Sequence, residues 1–157
     1  MVILRDRPRL RSPGDAIIGR NGGAVTEDRL LAEMRALRDR VAGITGSALA
    51  SRDGLIIKAD TDLNVDHLAA LAAASLGLAQ RMAREVGQGL LRDAVTRNSG
   101  GYVAIYAVGG TAVLILTGNE DLKVGRLHSE SRETIASIEA LLGRTGESSD
   151  AYRAAAR

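Results

Sequence analysis

Ile44-Thr45-Gly46-Ser47-Ala48-Leu49-Ala50-Ser51, then Arg52-Asp53-Gly54, then Leu55-Ile56-Ile57-Lys58-Ala59-Asp60: this stretch decides the fold. Two apolar runs flank an Asp-Gly pair. A tight hairpin turn needs positive φ, which glycine supplies without steric cost, so the pattern predicts two antiparallel strands.

Upstream of the hairpin, Leu30, Leu31, Met34, Leu37 and Val41 recur at helical spacing and define one buried stripe. Thr26 is a suitable N-cap, Glu27 and Asp28 suit the positive end of the helix dipole, and Gly43 is a natural stop. Downstream, a second helix is expected from Asn64 to Val86. A charged strand, Leu90–Arg97, reads as a sheet edge. Tyr102–Val108 and Thr111–Thr117 are nearly continuous apolar runs joined by Gly109-Gly110, and they read as central strands covered on both faces. A third helix is expected over Leu122–Leu142, capped by Asn119 or Asp121 and stopped by Gly143. The order is α-β-β-α-β-β-β-α. This is an α/β fold, more narrowly an α+β sandwich: a five-stranded antiparallel sheet with one helix on one face and two on the other.

The second helix carries the functional signal. One broad arc, Val65, Leu68, Leu71, Ala72, Leu76, Leu78, Ala79, Met82 and Val86, is expected to lie on the sheet. The opposite side should be charged. Instead it carries Ala69, Ala70, Ala73, Ala74 and Gly77, bordered by Asp66, Gln80, Arg81 and Arg84. A helix apolar all round is covered on both sides, and small residues admit a second backbone closely. These positions other than Asp66, with Arg92, Ala94 and Thr96 on the edge strand, form the candidate dimer and partner interface. A paired edge strand and a paired helix together describe a twofold-symmetric dimer. The bland alternative is that alanine is simply a strong helix former in an alanine-rich chain.

Composition narrows the function. The 157 residues suffice for one domain with a real core, and 45% are apolar. Aromatics make up only 2%, too few for a base-stacking surface. The net charge is +2, but residues 1–24 carry +3 and residues 144–157 carry +1, leaving −2 for 25–143. A body near neutrality argues against nucleic-acid binding, which draws on phosphate neutralisation. Residues 1–24 hold both prolines and five arginines without periodicity and read as a disordered arm. Residues 144–157 read as a flexible tail with a stub of helix. With no cysteine, disulfides and Cys-based zinc sites are excluded. No run has the roughly 20 apolar residues of a membrane span, and the N-terminus lacks the order of a secretory signal, so a cytoplasmic location is expected.

The search for chemistry finds little. His67 and His128 each stand alone on a helix and read as solvated residues. Asp60 with Asp62, and Glu120 with Asp121, flank helix starts, where carboxylates stabilise the dipole. Gly19-Arg20-Asn21-Gly22-Gly23 is glycine-rich but lacks both the Gly-Lys-Ser/Thr and the preceding strand of a phosphate loop. No cofactor, metal or catalytic residue is expected, and the chain does not read as an enzyme.

The element order and the run Val41–Leu55, most sharply Gly43, Ile44, Gly46, Ser47 and Ser51-Arg52-Asp53-Gly54-Leu55, resemble the Roadblock (dynein light chain) family. Within the family the chain resembles the bacterial MglB-like proteins and the Roadblock component of actinobacterial conservon operons, which also encode a sensor-kinase-like protein and a small GTPase. The resemblance covers about residues 26–143. It implies a homodimer with a continuous ten-stranded sheet, joined through Leu90–Arg97 and the second helices. It also implies docking of a Ras-like GTPase across those helices, with hydrolysis stimulated by repositioning the GTPase's own residues. A sensor-kinase-like membrane protein is a further implied partner.

Two other readings remain open at this point. One is a small-molecule sensor of PAS-, GAF- or profilin-like layout, which requires a mixed polar and apolar pocket over the sheet. The other is a passive scaffold for a sensor-kinase complex.

Overall fold

Leu30, Met34, Leu37 and Val41 repeat at three- and four-residue steps, which places hydrocarbon along one side of a helix. In the computed structural model, which describes residues 22–155, the first helix (α1) spans Gly22–Arg40, and all four side chains are buried. It starts one turn before the expected Thr26 cap. No proline interrupts 22–25, so nothing halts the helix there. Most of the arm expected at 1–24 lies outside the described residues, as does Gly19–Asn21 of the glycine-rich run.

The hairpin forms as its sequence dictates. Strands β1 (Ile44–Ser51) and β2 (Ile56–Asp60) pair antiparallel, with Ser47 opposite Asp60 and Leu49 opposite Lys58. Gly54 sits at φ +87°. Ser51 locks the turn: its backbone N–H donates to Leu55 O at 2.8 Å, its hydroxyl oxygen accepts from Leu55 N at 3.1 Å, and the hydroxyl donates to Asp53.

The helix α2 spans Val65–Glu85, between Asn64 and Val86 as caps, and Gly87 follows at φ +70°. Strands β3 (Asp93–Asn98), β4 (Gly101–Val108) and β5 (Ala112–Gly118) complete the sheet, whose order is β2-β1-β5-β4-β3. The two apolar runs, β4 and β5, are internal, and the charged strand β3 is an edge. It begins at Asp93 rather than Leu90.

The period-two rule divides the core into two layers. Leu49, Ala104, Tyr106, Leu114 and Leu116 point to one face, where they meet α1 and α3 through Leu30, Met34, Leu127 and Ile138. Ala48, Ala50, Ile105, Val113 and Ile115 point to the other, where they meet Ala69 and Ala72 of α2. The expected one-plus-two helix arrangement is the one observed.

The third helix (α3, Val124–Ala155) is longer than expected. It passes through Gly143, and what reads as a tail from 144 continues the helix to Ala155. A glycine inside a helix costs about 1 kcal/mol relative to alanine, which weakens a helix without ending it. Asn119 does not cap α3; its Oδ1 accepts from Asp121 N at 3.1 Å in a turn before the helix.

The two sheet edges are treated differently. Along β2, Asp60 accepts contacts from Arg35 at 3.4 Å and Arg38 at 3.3 Å, and Lys58 meets Glu27 at 3.4 Å, so that three residues of α1 are held by two of β2. Asp60 therefore clamps α1 over that edge, which corrects its expected role at a helix start. Strand β3 has a strand neighbour on one side only.

Candidate docking surface

Whether a helix buries its largest side chains depends on the room the sheet leaves. Beneath α2 the strands already supply Ile105, Val113 and Ile115. At the Gly54 turn the gap is tight: a Cβ on Gly54 would lie 2.9 Å from the Ala70 Cα and 3.3 Å from the Ala69 carbonyl oxygen. Only small residues fit there. Ala69 and Ala72 are accordingly the buried residues of α2, with Val65, Leu68 and Leu76 packed partly against them.

Val65, Leu68, Ala72 and Leu76 thus meet the sheet as expected, but the helix is turned so that the rest of the expected arc does not all follow. Leu71, Leu78, Met82 and Val86, expected on the sheet, are exposed, and Leu71, Leu78 and Met82 keep 63%, 63% and 64% of their surface open. Conversely Ala69, expected on the outer side, is fully buried against the sheet and cannot meet a partner. Steps of seven and four residues align Leu71, Leu78 and Met82 along one line of the helix. Ala74 lies between them, also exposed. The hydrocarbon continues beyond the helix through Leu90, 83% exposed.

The other candidate positions are distributed around this stripe. Ala70, Gly77, Arg81 and Arg84 are exposed, and Ala73 is half-buried. Gln80 is half-buried and engaged: its Nε2 donates to Gly89 O at 3.0 Å and its Oε1 accepts from Leu91 N at 2.9 Å, which holds the loop between α2 and β3. On the edge strand, Ala94 faces Ile105 across the ladder and Thr96 faces Val103. Ile105 and Val103 belong to the α2-side core, so Ala94 and Thr96 share the sheet face that α2 covers. Arg92 precedes β3 and is exposed; its carbonyl accepts from Ala107 N at 2.9 Å. The stripe and the open edge thus belong to one side of the molecule.

A polar cluster occupies the opposite face. His128 Nδ1 lies 3.0 Å from the Tyr106 hydroxyl and 3.4 Å from Asp93 Oδ2, with the two rings edge-to-face at 5.7 Å. Its side chain is 38% exposed, so the expected solvated histidine instead ties α3 to β3 and β4. Burial pushes the Tyr106 hydroxyl up to about 12; nearby Ser131 pulls the other way without reaching hydrogen-bond geometry, and the Asp93 charge adds to the rise. No sequence spacing relates His128 to residues on two strands, so this cluster gives no linear signal. His67 is exposed on α2.

Among the described residues, no three His, Asp or Glu side chains gather as metal ligands, and no helix is long and apolar enough to cross a membrane.

Known proteins share this architecture. The sequence profile of the family described as Roadblock/LC7 domain matches residues 30–117, more than half of the chain. The uncharacterised protein MJ0310 of Methanocaldococcus jannaschii is 32% identical over 92 residues, covering 57% of this chain and 77% of the relative. Among solved structures, an MglB with tetrameric arrangement superposes with a TM-score of 0.71 at 16% identity, covering 76% of this chain and 92% of that one. A Roadblock/LC7 domain from Streptomyces avermitilis superposes with a TM-score of 0.66 at 24% identity, covering 71% and 95%.

Proposed function

Because this chain belongs to the Roadblock/LC7 family, we propose that it acts as a non-catalytic homodimeric regulator, binding a Ras-like small GTPase and modulating its hydrolysis or switching in a bacterial signalling complex. The observation that carries this reading is the line of Leu71, Leu78 and Met82, exposed on the outer side of α2, together with the edge strand β3, which has a strand neighbour on one side only.

Two copies related by a twofold axis would pair β3 with β3 and bring the two α2 helices together. Such pairing extends the sheet and covers hydrocarbon in one step. The tetrameric arrangement of the MglB structure supports oligomerisation as a mode open to this fold. The GTPase then docks on the paired helices, and it changes state only so far as its two nucleotide states make different contacts with that surface. A sensor-kinase-like protein in the same complex is the second partner of this reading.

The test is single-turnover GTP hydrolysis by a Ras-like GTPase of the same organism, with and without this protein and with its Leu78→Asp variant. The reading expects a complex and a changed turnover with the wild type, and neither with the variant. A GTPase that neither binds nor responds to the wild type would contradict it.

A further inference from the structure

A cavity of about 360 Å³ opens between the second half of α2 and the sheet. Its apolar lining includes Leu76, Leu91, Ala107 and Ala112, and two arginines, Arg52 and Arg84, line it as well. Ala107 lies two residues from Ile105 on β4, so it faces the α2 side of the sheet.

The walls are fixed by hydrogen bonds. Gln80 bridges to Gly89 and Leu91 with both ends of its amide, as described above. Arg52 donates from its backbone N to Thr111 O at 3.0 Å and from Nη1 to Gly110 O at 3.2 Å, which pins the first hairpin turn to the β4–β5 turn. Neither Arg52 nor Arg84 meets a carboxylate among the described residues. Arg52 belongs to the Ser51–Leu55 motif, and docking through the Leu71–Met82 stripe leaves this arginine unused.

We propose that the cavity binds a small amphipathic carboxylate, with its anionic head on Arg52 and Arg84 and a short hydrocarbon body against Leu76, Leu91 and Ala107. A guanidinium offers only donors, so the complementary group is an anionic acceptor. The apolar lining requires that the rest of the ligand be hydrocarbon, since a buried polar body would lose its hydrogen bonds to water. The volume falls at the low end of small-ligand pockets, which span roughly 300–1,000 Å³, so the ligand is compact. This mixed lining over the sheet is what the sensor reading required of the fold, and the proposal stands whether or not a GTPase is the partner.

The experiment is calorimetric titration, with thermal unfolding in parallel, of the full chain with octanoate. Octanol, octylamine and inorganic phosphate serve as probes lacking, respectively, the charge, its sign and the hydrocarbon. Octanoate is expected to bind one per chain and raise the unfolding temperature, and the other three to bind at least about tenfold more weakly. Arg52→Gln/Arg84→Gln should weaken octanoate by about tenfold or more, and both side chains are exposed, so the fold survives the change. Ala107→Leu, which fills the cavity floor, should abolish binding. The proposal is overturned if octanoate does not bind, if octanol or phosphate binds as tightly, or if the double arginine variant binds octanoate like the wild type. A folded Ala107→Leu protein with unchanged affinity would also overturn it.

Discussion

Replacing Leu78 by aspartate tests whether the outer side of α2 is covered in solution. In the isolated chain Leu78 is 63% exposed and contributes little to the core. The change there is mainly one of helix propensity, about 0.5 kcal/mol. Within a symmetric dimer the effect is larger. Full burial of a leucine is worth roughly 1.5–3 kcal/mol, so covering the open part of Leu78 is worth roughly 1–2 kcal/mol per copy. A twofold interface contains the residue twice, which gives roughly 2–4 kcal/mol per dimer, before the cost of desolvating two carboxylates. That corresponds to a dimer dissociation constant raised roughly 30- to 700-fold. Sedimentation equilibrium of both proteins over a wide concentration range measures this directly, and thermal unfolding of the variant checks that the monomer still folds. A well-folded variant with the wild-type dissociation constant, or a wild type that stays monomeric throughout, would refute the reasoning.

Gly77→Arg should separate folding from docking: a Cβ there meets no heavy atom within 4 Å, so the unfolding temperature should hold or rise while self-association and GTPase binding are lost. A variant that binds normally would remove that helical turn from the interface. Gly54→Ala places a side chain at φ +87° with its Cβ 2.9 Å from the Ala70 Cα, and since the left-handed conformation alone costs roughly 1–2 kcal/mol, a loss of about 2 kcal/mol and a Tm drop of roughly 4–8 °C are expected by calorimetry. An unchanged Tm would show that the turn and α2 are not in tight contact. Tyr106, at about 12 when folded against 10.0 as a free side chain, holds its proton more tightly in the native state. Its contribution is therefore complete below pH 10 and disappears as pH rises from 10 to 12, by up to about 3 kcal/mol. Denaturant unfolding near the two ends of that window should show a steep loss for the wild type and a flatter one for Tyr106→Phe; equal slopes would place the loss elsewhere.

The sheet was legible because its signals are local. Asp53-Gly54 and Gly109-Gly110 mark turns, and the unbroken apolar runs beside them can only be strands covered twice, as the division of Leu114 and Ile115 between the two core layers confirms. The rotation of α2 was not legible. A helix apolar around its whole circumference has no intrinsic inner side, and the choice falls to the partner surface, where Ala69 and Ala72 bury fully against the layer of Ile105, Val113 and Ile115, with Val65, Leu68 and Leu76 packed partly beside them. Of the small residues expected on the outer side, Ala69 goes to the sheet while Ala70, Ala74 and Gly77 stay exposed, and Leu71, Leu78 and Met82 join them outside. Part of the arc expected on the sheet thus lies outside, and Ala69, expected outside, lies within. Gly143 misled in the same way: it resembles a stop, but helix ends are set by caps and packing as well as by propensity. His128 finds Tyr106 and Asp93 only through the tertiary fold.

The chain contains no cysteine, so a single one placed at Leu78 reports on that position alone. Its rate of alkylation by a maleimide, compared with that of a cysteine at exposed Glu133 on α3, tests most directly whether protein covers the α2 stripe. If the stripe is a docking surface, Leu78→Cys reacts far more slowly than Glu133→Cys at high protein concentration and approaches its rate on dilution. Equal rates at every concentration, with the GTPase absent or present, would contradict it.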